Sequence, residues 1–263
     1  MKTSMRLLAN SFLILGLLLP ARAAEAPSFT LDSNFLKLPG GMKTVGDGHG
    51  DIALSPSGDI YVSVQGGERP GIQVYDGSGN YLRNLTGIAV APGGDIYVTD
   101  GYGLDYIHRF SAAGKYLRTF GGKEAPWNFD QCHKIAIDTR FTPLRLLCTD
   151  RRHDRLVHMD LNGHVLGVFG WGLRLPSALA IHGDELAVGE LMGRVSLLDR
   201  KGQITAVIGT NDNVDEIRTN KAPPEIWKSG LFYAPHGVTY DAKGNLLVSE
   251  FNQYGRITRI ERK

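Results

Sequence analysis

Apolar and polar residues alternate in short runs from about residue 50 to the end of the chain, with glycine-centred turns between the runs. One unit recurs. Gly50 to Ser63 reads GDIALSPSGDIYVS, and Thr86 to Thr99 repeats it as TGIAVAPGGDIYVT. His133 to Asp138 opens a third copy, which continues after a longer turn into Leu146-Leu147-Cys148-Thr149. Ser177 to Ile181 opens a fourth that runs on to Val188, and FYAPHGVTYDAKGNLLVSE at 232–250 is a fifth. Each copy predicts two strands of period two around a tight turn.

A second hairpin follows the first in several units. IHRFSAAGKYLRTFG (107–121), LVHMDLNGHVLGVFG (156–170) and VSLLDRKGQITAVIG (195–209) each alternate apolar residues around a glycine turn. Four short strands at a period of about 40 residues define a propeller blade. The chain therefore predicts an all-β β-propeller with five clear four-stranded blades. The one short helix candidate is Pro223 to Lys228, inside the long connection 210–232. Residues 27–46 are too short for a blade. They are expected to supply the outer strand that the last unit lacks, closing the ring so that no edge is left open. Between Asn84 and Thr86 the usual linker is missing, so either the ring is tight there or a unit has been lost near Leu85.

Composition sharpens this picture. Lys2 and Arg6 precede an apolar run from Leu7 to Leu19, and Ala21-Arg22-Ala23 follows it. That layout predicts a secretory signal peptide over 1–23, a single domain over 24–263, and a secreted or periplasmic protein with no membrane span after cleavage. A retained N-terminal anchor is the alternative. Removing 1–23 takes three basic residues and no acid, so 29 basic against 27 acidic becomes 26 against 27. A charge of −1 gives no electrostatic case for nucleic acid. The 33 glycines and 12 prolines fit many tight turns. Cys132 and Cys148 sit on strands that would form one hairpin, as a disulfide or as two small buried side chains. Their spacing is not that of a zinc-cysteine site.

In a blade, the start of strand one lies beside the end of strand two, near the propeller axis. At the starts stand Gly50, Thr86, His133, Ser177 and His236. After the ends stand Asp100-Gly101-Tyr102-Gly103, Asp150-Arg151-Arg152, Glu190-Leu191 and Glu250-Phe251. Two imidazoles from separate blades can converge as a metal pair, and a catalytic zinc usually takes three protein ligands. His49 is the nearby third candidate, one residue out of register. The remaining histidines (108, 153, 158, 164, 182) are expected at the surface. Tyr102 is a hydroxyl aimed into the mouth or a packing aromatic. Arg151 is a carboxylate-binding fork or the partner of an acid such as Asp150. No phosphate loop, serine nucleophile elbow or HExxH is present.

The segments VTDGYGLDYIHRFSAAGKYLRTFGG, QCHKIAID to LLCTDRRHDRLVHMD, and FYAPHGVTYDAKGNLLVSE resemble the NHL-repeat β-propellers. Among these they are most similar to the peptidyl-α-hydroxyglycine α-amidating lyases, and the resemblance covers the whole mature length. It implies a six-bladed ring and a central zinc on three histidines, with His133 and His236 matching two of them. It also implies that Tyr102 is a general base and that Arg151 holds substrate. The reaction implied breaks a carbon–nitrogen bond to give a peptide amide and glyoxylate. Three positions depart from the family. The first zinc histidine would fall at the Leu85 junction. An expected arginine falls near Gly66, with Arg69 the only substitute. The acid that helps hold a structural calcium is replaced by Gly237.

The leading expectation is therefore a monomeric, metal-dependent carbon–nitrogen lyase acting on a small peptide-like substrate. A non-catalytic module for a protein or glycan partner is the first alternative. A lactonase-like hydrolase holding a cation on carboxylates such as Asp100, Asp150, Glu190 and Glu250 is the second.

Overall fold

The computed structural model describes residues 32, 35–38, 40–45, 52–54, 58–64 and 71–262. Met1–Ser33 and Asn34–Lys263 form separate compact units, and every strand belongs to the second. The signal-peptide segment and His49 lie outside the described residues, as do Gly50, Gly66 and Arg69.

The fold is an all-β propeller. Blade 1 holds β1 (Ile52–Leu54), β2 (Ile60–Val64), β3 (Gly71–Tyr75) and β4 (Tyr81–Leu85). Blade 2 holds β5 (Gly87–Val90), β6 (Ile96–Thr99), β7 (Tyr106–Phe110) and β8 (Tyr116–Gly121). Blade 3 holds β9 (Cys132–Asp138), β10 (Arg145–Asp150), β11 (Arg155–Met159) and β12 (Val165–Phe169). Blade 4 holds β13 (Pro176–His182), β14 (Glu185–Glu190), β15 (Arg194–Leu198) and β16 (Ile204–Ile208). Blade 5 holds β17 (Pro235–Tyr240), β18 (Leu246–Glu250) and β19 (Ile257–Ile260). Each blade is an antiparallel meander, so the two-residue alternation puts one row of side chains on each face. The helix candidate in the long connection is a single 3-10 turn, Pro224–Ile226.

Turn chemistry sets the register. Asp76, Asp160, Asp199 and Asp241 each accept bonds through a side-chain oxygen from the backbone N–H groups two and four residues on. A glycine at positive φ completes each turn, as at Gly163 (89°) and Gly244 (79°). An L side chain there would be strained.

The core lies between blades. Tyr97, Ile107 and Phe120 of blade 2 pack on Ile135, Cys148 and Met159 of blade 3. Leu147, Leu156 and Phe169 of blade 3 meet Leu179, Leu186 and Leu198 of blade 4. Ala187 and Val195 meet Leu246 and Val248 of blade 5. Val74 and Leu85 of blade 1 pack on Val98 of blade 2. Cys132 and Cys148 form a disulfide that ties β9 to β10.

One expectation is corrected, and one open alternative is resolved. The segment within 27–46 does not complete blade 5 among the described residues. Lys37 donates its backbone N–H to Gly79 and bridges Asn80, while Leu36, Leu38 and Val45 cover Val62, Val64 and Tyr75. That face of blade 1 is opposite the one that meets blade 2, and it is apolar. Covering it outweighs the backbone bonds that β19 would gain, and Ile257 stays 75% exposed. The short junction is also real, with Thr86 alone between β4 and β5. Its backbone N–H donates to Thr99 O at 2.7 Å, so the chain enters the next blade directly. Blades 1 and 2 meet with no sheet between them.

Leu186 is fully buried between blades 3 and 4. Leu186→Ala is expected to cost about 2–5 kcal/mol of stability. Denaturant titration checks this, and a loss under about 1 kcal/mol would place the core elsewhere.

Candidate functional site

The site starts with an irregularity in the ladder. In blade 5, Pro235 pairs with Glu250 and Gly237 with Ser249, which leaves His236 as an extra residue. In blade 4, Pro176 pairs with Glu190 and Ala178 with Gly189, which leaves Ser177. In blade 3, Cys132 pairs with Asp150 and Ile135 with Cys148, so His133 and Lys134 together face Thr149. A β-bulge at the same place in three blades pushes one residue out of the pairing and re-aims it. Blade 2 has no bulge, and Gly87 pairs directly with Thr99.

His133 and His236 therefore meet. Their rings lie 5.0 Å apart, edge to face at 85°. His133 is 4% exposed. Its Nδ1 lies 3.2 Å from Ser177 O. A carbonyl only accepts, so Nδ1 carries the proton and Nε2 keeps its lone pair. Arg151 stands in a 3-10 turn, Arg151–His153, just past β10. Its Nη2 lies 3.4 Å from His236 Nε2, and Nη1 donates to Tyr102 Oη at 3.1 Å. A guanidinium only donates, so His236 Nε2 and Tyr102 Oη are the acceptors. The Tyr102 proton is left free to be donated elsewhere.

Tyr102 reaches this position because residue 101 has no side chain. A Cβ at Gly101 would stand 2.4 Å from Cys132 O, so only glycine lets the turn lie against β9. Thr86 Oγ1 accepts the Gly101 N–H at 2.9 Å and holds the turn. The Tyr102 ring then sits edge-on to His133, with centroids 5.5 Å apart. Tyr102, His133, Arg151 and His236 line a cavity of about 790 Å³ with Thr86, Leu191 and Tyr254.

Electrostatics follow from burial. Desolvation, then the Arg151 charge, pushes the His236 imidazole down to about 3. The same two causes hold His133 well below its ordinary value. Both rings are neutral at pH 7. Desolvation also lowers Arg151. Arg151 is 4% exposed, its Nε is buried without a partner, and no carboxylate among the described residues pairs with it.

The strand-end acids do different work. Asp150 accepts the Asp130 N–H and bonds Arg155 and His153. Glu190 accepts the Arg174 N–H, Arg194 Nε and Ser196 Oγ. Glu250 accepts the Tyr233 and Ala234 N–H groups and faces Arg256 at 3.1 Å. Asp100 accepts the Tyr106 N–H. Asp150, Glu190 and Glu250 brace the turn before their own blades and Asp100 braces the turn between β6 and β7, while Glu250 Oε2 is left without a hydrogen bond and faces Arg256. The expected Asp150–Arg151 pair does not form. His158, expected at the surface, is buried, and its Nε2 bonds Asp138 Oδ2 at 2.9 Å beside Arg140.

The donor set does not fit zinc among the described residues. Two imidazoles converge, but no group of three His, Cys, Asp or Glu side chains forms a cluster. The guanidinium sits against His236 Nε2, the nitrogen a metal would need. At Gly237 a side chain would meet Ser249 Oγ at 2.4 Å, so an acid there requires that side chain to move.

Fold and site together define a β-propeller with an axial, cation-lined cavity. No protein-family model matches the chain. Among solved structures, a virginiamycin B lyase from Staphylococcus aureus overlaps it at 13% identity and a TM-score of 0.47, covering 80% of this chain and 68% of that one. A Bacteroides caccae protein of unknown function overlaps at 13% identity and 0.48, covering 80% and 76%. A Myxococcus xanthus glutaminyl cyclase overlaps at 14% identity and 0.45, covering 80% and 90%. Likenesses of this size assign neither a family nor an activity.

The histidine pair predicts an acid-side loss of stability. Both folded values lie below the unfolded value of 6.5. Their contribution is present above pH 6.5 and is lost as pH falls toward about 3. Asp105 runs the other way. Burial raises it to about 6 from 3.8, so its contribution is full below pH 3.8 and lost as pH rises through about 6. The two act over overlapping windows with opposite sign. Denaturation at pH 7.5 and 4.5 is expected to show a shallower loss in His236→Phe than in wild type, by up to about 2 kcal/mol. Equal slopes would place the rings in water.

Proposed function

We propose that the axial cavity is the active site of a lyase-like enzyme that acts on a small peptide-like molecule held by its carboxylate. The observation that carries this is Arg151, a buried guanidinium that opens on a cavity and has no acid partner among the described residues. A buried charge without a counter-charge is costly, and a ligand carboxylate would relieve that cost. The planar fork suits bidentate recognition.

The neighbours supply acid–base chemistry. For a hydroxyglycine-ended peptide, His133 Nε2 takes the hydroxyl proton. The C–O bond becomes a carbonyl, and the C–N electron pair leaves with the amide nitrogen. Tyr102 donates its free proton to that nitrogen. The imidazolium proton then returns to Tyr102, and glyoxylate and a peptide amide leave. Zinc enters none of these steps. The neutrality of both imidazoles at pH 7 supports the base role, as does the open Tyr102 proton.

The test is glyoxylate release from hydroxyglycine peptides, with binding measured in parallel. Tyr102→Phe is expected to lower kcat at least 10-fold with KM within about 3-fold. Arg151→Met is expected to weaken binding 10- to 100-fold. Carboxylate binding without turnover would leave a binding module. About one zinc per chain, lost in His133→Ala, would replace this scheme with a metal site.

A further inference from the structure

The cavity that holds Arg151 has an apolar side. Arg151 is 4% exposed, whereas Tyr254 and Ile257, which line the same cavity, are 49% and 75% exposed. Val64 and Ile72 of blade 1 and Leu191, just past β14, add to this apolar lining. Phe251 joins the two parts. Its ring lies 5.8 Å from the His236 ring, and His236 Nε2 is the atom that Arg151 Nη2 approaches at 3.4 Å. An apolar surface therefore begins one ring away from the guanidinium. The segment that carries it is tied down by hydrogen bonds. Phe251 N–H donates to Ala234 O, Gln253 N–H to Asn220 O and Tyr254 N–H to Asn252 Oδ1, while Asn252 Nδ2 donates to Ala222 O. Arg256 also lines the cavity, but Glu250 faces it at 3.1 Å and it donates to Leu231 O at 2.9 Å. Arg151 has no such acid.

Resting on the reading of Arg151 as a carboxylate anchor, we propose that the cavity selects peptide-like carboxylates with a bulky apolar group on the unit before the one that carries the carboxylate, such as an aromatic penultimate side chain or acyl cap. The carboxylate pairs with Arg151, and the apolar group covers Phe251, Tyr254 and Ile257. That contact removes from water apolar surface that the fold leaves exposed. The hydrogen-bonded turn is already in place, so little ordering cost opposes it. A carboxylate without such a group leaves this wall wet and binds more weakly.

Isothermal titration of the intact chain with N-acetylglycine and with N-(3-phenylpropanoyl)glycine tests this, because the two share a carboxylate and an amide and differ in the apolar group. Wild type is expected to bind the phenyl ligand at least 10-fold more tightly, which needs only about 55 Å² of apolar surface removed from water. The double variant Tyr254→Ser with Ile257→Ser should narrow that ratio below 3-fold, and both side chains are exposed enough to be replaced without opening a core. Tyr254→Phe keeps the ring and should keep the ratio. Arg151→Met should weaken both ligands together. Equal affinities in wild type, an unchanged ratio in the double variant, or a ratio lost in Tyr254→Phe overturns the proposal, and the anchor still stands if Arg151→Met weakens both ligands. If Arg151→Met changes neither affinity, or wild type binds neither ligand, both readings fall.

Discussion

The site depends on the β-bulge at the mouth of the inner hairpin. A regular ladder would keep His133, Ser177 and His236 in pleated alternation, facing neighbouring blades. The bulge in each first strand breaks that alternation, and in blades 3 and 5 it brings His133 and His236 to the cavity. The bulge also leaves a carbonyl free at Ser177, and His133 Nδ1 takes it. One backbone irregularity thus both positions the imidazole and fixes its tautomer. The strand-end acids keep the bulges in place. Glu250 binds the N–H groups of Tyr233 and Ala234 just ahead of β17, and Glu190 binds that of Arg174 ahead of β13. An arginine from the start of the third strand, Arg194 or Arg256, neutralises each acid in turn.

This arrangement explains why carboxylates beside the mouth do not make a cation site. Asp150 and Glu190 are engaged by a backbone donor and a guanidinium, Asp100 by backbone donors alone, and Glu250 holds two backbone N–H groups through Oε1 while Oε2 faces Arg256. Arg151 breaks the pattern. It occupies the turn after Asp150, whose oxygens Arg155 and His153 have already taken. Its fork points instead to a phenol and an imidazole, both neutral. The disulfide ties the strand that carries His133 to the strand that leads to Arg151, so the two groups share one rigid hairpin.

Much of the fold was legible in the sequence, because a propeller blade writes its turns into the chain. The five copies of the recurring unit placed the inner hairpin of each blade, and the glycine turns placed the second hairpins of blades 2, 3 and 4. The meeting of His133 and His236 was legible from their equal positions in the repeat. The bulge was not, since it is a mismatch between two paired strands and neither strand shows it alone. His158 was misplaced because an outer strand was read as exposed, whereas β11 is buried and its imidazole bonds Asp138 beside Arg140. The segment 27–46 was assigned to the last blade, whereas its described residues cover blade 1, because an apolar face and an open strand edge compete for it. The choice between them is tertiary.

The histidines and the cations hold each other in their states. Buried imidazoles would repel a guanidinium if they were protonated, but burial and the Arg151 charge keep them neutral. Neutral imidazoles in turn give Arg151 an acceptor at His236 Nε2, which partly replaces the water it has lost. An imidazole is a weak substitute for a carboxylate, and Arg151 Nε has no partner at all. The charge on Arg151 therefore remains uncompensated, although residues 24–263 together carry a formal charge of only −1. A fold that pairs Asp150, Glu190 and Glu250 with arginines, yet leaves Arg151 without an acid, carries the cost of desolvating a cation where a ligand can reach it. That cost is the physical basis for the anion binding proposed here, since an uncompensated positive charge attracts negative charge before any contact specific to one substrate is made.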